Sequence, residues 1–416
     1  MAADIAMAQF GFAIMDLVVS GLLLADDLVL ISRTEEGLRC LLRTVKFHTD
    51  SLKMLISESK SEIICPGDEE WNLTNSQGEV ELSLKSVLQY KYLGILMHGS
   101  MHKTGKAKQE QALKTARQYK GACLKMSKMG PDTVDLAKTC WTSVALPSII
   151  FGCNVVPFTE TKIVEIERIQ SQLAKSLLGL PLGAANLCAQ ETMGWKTFRH
   201  LLYQSVLSFY LRLLHLPVER WSHKALMEHL EGGWSSPYLG YVHKIRSEVG
   251  LLDLPTSPAT LTLLLDYFFL DKTNKMILDL GLPALVQKVD FKTRPFVTEL
   301  QESLEIARFR YDSVNLGNHA PRPGFERKKF CVLCPSPVIV SGVHLVRCPY
   351  LIDIQSSTGI SSFFNICLLK GLDMNTTFAF YVNGLDSSGN YVGEEDYKSR
   401  GKALLKLTKM YLNRWK

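Results

Sequence analysis

Three stretches hold residues whose types and spacing could do chemistry. The first is Cys331-Val332-Leu333-Cys334 followed by His344 and Cys348, with three residues between the last two. Thiolate and imidazole ligands at such spacings suit a tetrahedral Zn²⁺. A redox Cys-x-x-Cys pair would not need the His/Cys partners, and plain packing without metal is the other alternative. Zinc binding would tie the folding of this segment to the metal. Arg322, Arg327, Lys328 and Lys329 lead into it and suit phosphate contact. The second stretch is Asp26-Asp27, set between the apolar runs 22–25 and 28–31. Adjacent carboxylates are costly to bury inside an apolar helix. At a hairpin tip they face water or a hard cation such as Mg²⁺, which binds through one or two carboxylates plus substrate phosphates. The third is residues 103–128, where Lys103, Lys106, Lys108, Lys114, Arg117, Lys120, Lys125 and Lys128 meet one acid, Glu110. Such a bias suits nucleic-acid phosphates, with a solvated helix face as the ordinary alternative.

The elements that must position these groups follow from pattern. Short apolar runs bounded by turn residues read as buried strands, so Val18 to Ser32 is expected to be a hairpin turning at the Asp pair. Thr34 is an N-cap, with Glu35 and Glu36 in the first helical turn. Leu38, Leu41, Leu42, Val45 and Phe47 are taken as that helix's apolar face. Ser57 to Cys65 reads as a strand, and a polar hairpin over 66–79 leads to another ending at Tyr92-Leu93-Gly94. Ala107, Ala112, Leu113 and Ala116 favour a helix through the basic segment. Leu136 to Phe158 is an apolar helix and turn, with Trp141, Ile149, Ile150 and Phe151 as core. A long helix runs from Thr161 to Leu178, and another covers 198–215. Residues 216–320 are short helices broken by Gly232-Gly233 and several prolines, with the apolar run 261–270 as core. The scattered histidines receive no role. Helices over about 361–372 and 395–415 close the chain.

The Leu24-Ala25-Asp26-Asp27-Leu28-Val29-Leu30 stretch resembles the Asp-Asp hairpin of reverse transcriptases, in the form used by non-LTR (LINE-type) retrotransposons. Ser59-Lys60-Ser61-Glu62-Ile63-Ile64 resembles the next palm motif, which carries a lysine. Tyr90-Lys91-Tyr92-Leu93-Gly94-Ile95 resembles the motif at the base of the thumb, and the Cys331, Cys334, His344, Cys348 set resembles the zinc knuckle near the carboxyl end of many such elements. The resemblance implies RNA-templated DNA synthesis, in which a primer 3′-hydroxyl attacks a deoxynucleoside triphosphate with metal assistance. Asp26 and Asp27 would hold Mg²⁺, and Lys60 would stand near the triphosphate. The partners implied are RNA, DNA and deoxynucleoside triphosphates. The family's fingers, its earlier palm motifs and its third carboxylate belong before the hairpin and have no counterpart in residues 1–21. The expectation is therefore a truncated RNA-directed DNA polymerase that is inactive alone. The alternative is a non-catalytic RNA/DNA-binding protein derived from such an element. Leu24 stands where the family usually carries an aromatic residue, which bears on nucleotide packing.

The fold class expected is α+β. A partial palm (1–97) precedes a thumb-like helical region (98–215). A helical region without an assigned role (216–320), a zinc knuckle (321–352) and a C-terminal helical segment (353–416) follow. Composition fits a globular chain: 416 residues, 46% hydrophobic and 21% charged, with a net charge of +6. The ten cysteines are scattered apart from the knuckle, so they form no disulfide framework. No signal-peptide pattern opens the chain, and no apolar run reaches the ~18 residues a membrane span needs. The expected setting is intracellular, nuclear or cytoplasmic, without a membrane partner.

Overall fold

The computed structural model describes residues 12–14, 17–64, 70–75, 77–129, 133–180, 186, 189–190, 193–232, 236–251, 253–279, 333–334 and 342–372, with residues 377, 381, 387–388, 396, 399–404, 406–407 and 410. Strands occupy the first hundred residues: β1 (Phe12–Ile14), β2 (Leu17–Val19), β3 (Gly21–Leu24) and β4 (Asp27–Leu30) precede helix α1 (Glu35–Ser51). Then come β5 (Glu62–Ile63), β6 (Glu70–Thr74), β7 (Val80–Ser86), β8 (Gln89–Tyr92) and β9 (Ile95–His98). Helices follow: α2 (Met101–Met126), α3 (Thr133–Cys140), α4 (Leu146–Ile150), α5 (Glu160–Leu177), α6 (Phe198–Leu214), α7 (Trp221–Glu231), α8 (Pro237–Val249) and α9 (Pro258–Asp279). Beyond them lie α10 (Gly342–Leu345), α11 (Ile352–Ser357) and α12 (Ile360–Leu369). The class is α+β.

The chain divides into two compact units of discontinuous segments: 1–111, 152–158 and 202–262 in one, and 112–151, 159–201 and 263–416 in the other. In the first unit the Asp-Asp hairpin forms as expected, β3 pairing antiparallel with β4 from Gly21↔Leu30 to Leu24↔Asp27. Ala25 and Asp26 make its two-residue loop, and Ala25 takes the left-handed conformation at φ 53°. The Thr34 hydroxyl caps α1 by accepting from the Gly37 amide over 3.1 Å. Leu41 and Val45 of α1 pack with Leu28 and Leu30 of β4. Leu42 joins Ile63, Trp71, Leu73, Leu82 and Leu84 of the three-stranded sheet, whose order is β5-β7-β6. Glu35 fixes the helix to that sheet, accepting from Trp71 Nε1 at 3.0 Å and from Arg39 at 2.5 Å. Phe47 does not belong to the apolar face: it is 71% exposed, because it sits half a turn off the row of Leu38, Leu41, Leu42 and Val45.

The strand expected over Ser57–Cys65 is largely absent. Residues 58–60 form a 3₁₀ turn, and only Glu62 and Ile63 are extended. The Ser57 carbonyl accepts from the Lys60 and Ser61 amides at 3.1 and 3.0 Å, so these backbone groups close a turn and are not offered to a strand ladder. Tyr92 does end a strand, but Leu93 and Gly94 turn it straight back into β9. Both take positive φ, 46° and 82°, the conformation of a two-residue hairpin turn whose twist matches its strands.

In the second unit, Trp141 is fully buried and stacks on Trp195 with ring centroids 5.9 Å apart. Residues 141–145 form a π turn, which lets the chain continue past Pro147 without the amide that proline lacks. Ile149 is buried as expected, whereas Phe151 is exposed. In α9, Leu265 and Phe269 are buried while Leu263, Leu264 and Tyr267 are exposed, so one helical stripe of the apolar run serves as core. Around α10 to α12 a separate core gathers Leu345, Leu351, Ile354, Ile360, Phe364 and Leu404, among others. No helix among the described residues is long and apolar enough to cross a membrane.

Candidate metal centre

Three of the four expected zinc ligands converge. The Sγ of Cys334 lies 3.6 Å from His344 Nε2 and 3.8 Å from Cys348 Sγ. All three ligand atoms fall within 4.8 Å of one another. A tetrahedral zinc with bonds of about 2.3 Å to sulfur and about 2.05 Å to nitrogen sets S···S edges of about 3.8 Å and S···N edges of about 3.6 Å. The two measured separations match those edges. The sulfurs are far beyond the ~2.05 Å of a disulfide, so the two cysteines are not bonded to each other. Cys331 lies outside the described residues. The three donors seen fit three corners of a zinc tetrahedron.

The ligands are held by local structure. Cys334 packs against the C-terminal core, His344 is on α10, and Cys348 is fully buried just before a 3₁₀ turn over 349–351. The side chain of Gln355 on α11 is buried, and its Nε2 donates to the carbonyls of Leu345 and Cys348, each at 3.0 Å. One amide thus clamps both sides of the His344–Cys348 loop. Sequence pattern gave no hint of Gln355, because its role depends on a helix two turns downstream. Burial, reinforced by Arg347, lowers the His344 pKa and favours the neutral imidazole that metal ligation requires.

The other expected site residues stand apart from this cluster. Asp26 and Asp27 are both exposed, one in the hairpin loop and the other opening β4. Among the described residues, the sole group of three or more metal-capable side chains is Cys334, His344 and Cys348, so the Asp pair gathers no third ligand there. Lys60 is exposed at the end of the 3₁₀ turn, not on a strand.

The basic segment forms α2 as expected. Lys103, Lys106, Lys114 and Arg117 are exposed. Arg117 Nη2 pairs with Glu165 at 2.7 Å, and Lys120 Nζ donates to Gln172 at 2.6 Å. Lys108 is a correction: it is 1% exposed and does not present its charge to a phosphate. It occupies the same helical row as Thr104, Ala112 and Ala116, all buried. Burial lowers its pKa, opposed by the neighbouring Cys153. Burial in turn pushes the Cys153 thiol up to about 12.

A polar cluster that sequence reading passed over surrounds His200. The buried His200 ring stacks on Phe269, with centroids 4.5 Å apart, and its Nε2 lies 2.8 Å from Asp266 Oδ1. Lys196 pairs with the same carboxylate oxygen. Burial and the Lys196 charge push the His200 pKa down to about 4 against the pull of Asp266, so the imidazole beside that carboxylate is neutral at pH 7. The cluster is an internal clasp between α6 and α9. No protein-family model matches the chain, and no curated protein matches it.

Proposed function

We propose that this chain is a reverse-transcriptase segment of the non-LTR retrotransposon type. It binds RNA and DNA through a zinc knuckle and a basic helix, and it does not extend a primer by itself. The observation that carries the reading is the approach of Cys334, His344 and Cys348 to the edge lengths of a zinc tetrahedron. It is supported by the Asp26-Asp27 hairpin and the Tyr90–Ile95 hairpin, which occur in the family's order. Asp26 and Asp27 are the residues that would hold Mg²⁺, and Lys60 is the residue that would meet the triphosphate. In-line phosphoryl transfer needs metals clamped on both the attacking and leaving oxygens. Two carboxylates on an exposed tip hold such metals only when further ligands join them.

The test is nucleic-acid binding by the purified chain at several salt concentrations, with and without chelator, beside a primer-extension assay. Salt-dependent binding that falls on chelation, with no extension, is expected. Extension that disappears in Asp26→Ala would overturn the claim that the chain does not polymerise.

The second reading is a non-catalytic RNA/DNA-binding protein derived from such an element. The isolation of Asp26 and Asp27 from any third ligand among the described residues favours it. Under this reading Asp26→Ala leaves Mg²⁺-dependent retention of a deoxynucleoside triphosphate unchanged; under the first reading retention is lost.

A further inference from the structure

Helices α2 and α3 meet through two thiols. Cys123 on α2 and Cys140 at the end of α3 hydrogen-bond each other through their side chains. Both are free cysteines, and both belong to the second compact unit. Their surroundings differ. Cys123 is fully buried, on the same helical row as buried Ala116. Cys140 is partly exposed and stands directly before the π turn over 141–145. Single π turns within helices are frequent at functional sites. Burial, and then the neighbouring Cys140, push the Cys123 thiol up to about 12. Cys123 therefore stays protonated in the reduced chain and is a poor first target for an oxidant. The candidate metal centre uses neither thiol.

We infer that Cys123 and Cys140 are a redox pair: a peroxide oxidises Cys140, and the two cysteines then close a reversible disulfide that staples α2 to α3. The Cys140 sulfur attacks one peroxide oxygen, the O–O bond breaks, and one water leaves with a sulfenic acid on Cys140. The Cys123 sulfur next attacks the Cys140 sulfur. The S–O bond breaks, and the departing hydroxyl takes the Cys123 proton to form a second water. Two thiols and one hydrogen peroxide thus give one disulfide and two waters. The hydrogen bond already sets the sulfurs side by side, and bonding closes them to about 2.05 Å. Outside oxidising compartments, disulfides are mostly of this transient, sensing kind. The inference is independent of the nucleic-acid reading.

The experiment uses the full chain, purified under reducing conditions with zinc present. It is treated with stoichiometric hydrogen peroxide, the remaining thiols are alkylated, and its peptides are mapped without reduction by mass spectrometry. The expected map joins the peptides of Cys123 and Cys140, and a small dithiol removes the link. The bridged chain should melt about 5 °C above the reduced chain, a gain that Cys140→Ser does not show under the same treatment. In Cys123→Ala the Cys140 sulfenic acid has no partner and is trapped by dimedone. In Cys140→Ser, Cys123 stays a thiol. The map of the parent chain decides even where a variant fails to fold. Cys123 and Cys140 both alkylated while other cysteines are oxidised would overturn the inference. So would a link from Cys140 to a different cysteine, or oxidation of Cys123 at the parent's rate in Cys140→Ser.

Discussion

The side-chain amide of Gln355 donates to the main-chain carbonyl of Cys348 over 3.0 Å, and its second hydrogen reaches the carbonyl of Leu345. A buried glutamine on one helix thus sets the backbone that carries a thiol of the candidate metal centre. Replacing it with leucine keeps the volume and leaves two buried carbonyls short of a donor, at about 1–3 kcal/mol. Gln355→Leu is expected to lower zinc affinity about 10–100-fold without removing a ligand. Competition with a chromogenic chelator measures it, and unchanged affinity would reduce Gln355 to ordinary packing.

Lys108 separates charge from contact. Its folded pKa lies below the ordinary lysine value of 10.5, because burial disfavours the charge, so the unfolded chain holds the proton more tightly. The charged form therefore works against the fold at neutral pH, and stability rises with pH towards 10.5. Lys108→Met is expected to raise the melting temperature, a gain of about 1–4 kcal/mol by analogy with buried ion replacements. Nucleic-acid affinity should not change. Lys114→Met should do the reverse, leaving stability alone and weakening binding. Thermal melts and titrations of the two variants side by side check the pair.

Acid should act on His200. Its pKa is about 4 folded against the ordinary 6.5 of a histidine, so the unfolded chain takes up the proton first. Stability is intact above the unfolded value and is lost as pH falls from about 6.5 to about 4. His200→Phe, which keeps a ring on Phe269, is expected to flatten stability across that window. Denaturant melts at several pH values measure it. A parallel pH profile for parent and variant would contradict the assignment.

Gly152 is tied to one conformation twice over. Its φ is +72°, and a Cβ there would come within 2.8 Å of Ile95 Cδ1. Gly152→Ala is expected to destabilise the first unit by about 1–3 kcal/mol. Combining it with Ile95→Ala should recover the part due to the clash and leave the part due to φ, relative to Ile95→Ala alone. A double-mutant cycle of melting free energies separates the two.

Much of the site was legible because its signals are local. The spacing of His344 and Cys348 carries them from α10 to the turn after it, and the Cys-x-x-Cys pattern marked Cys334. The Asp pair broke an apolar run where only a turn could hold it, and Thr34 marked the start of α1. What escaped depends on tertiary placement. Counting cations over 103–128 ignored the helical period that turns Lys108 inward beside buried Thr104 and Ala112. Reading 57–65 as a strand weighed its apolar end above the tight turn that the Ser57 carbonyl closes. His200 and Asp266 are far apart in sequence, and neither carries a local mark of the other.

The most direct measurement is the zinc content of the purified full-length chain, with Cys334→Ser, Cys348→Ser and Lys60→Ala purified alongside. The account predicts about one zinc per parent chain and per Lys60→Ala chain, with metal lost from both cysteine variants. A parent chain that folds cooperatively without zinc, or cysteine variants that keep it, would contradict it.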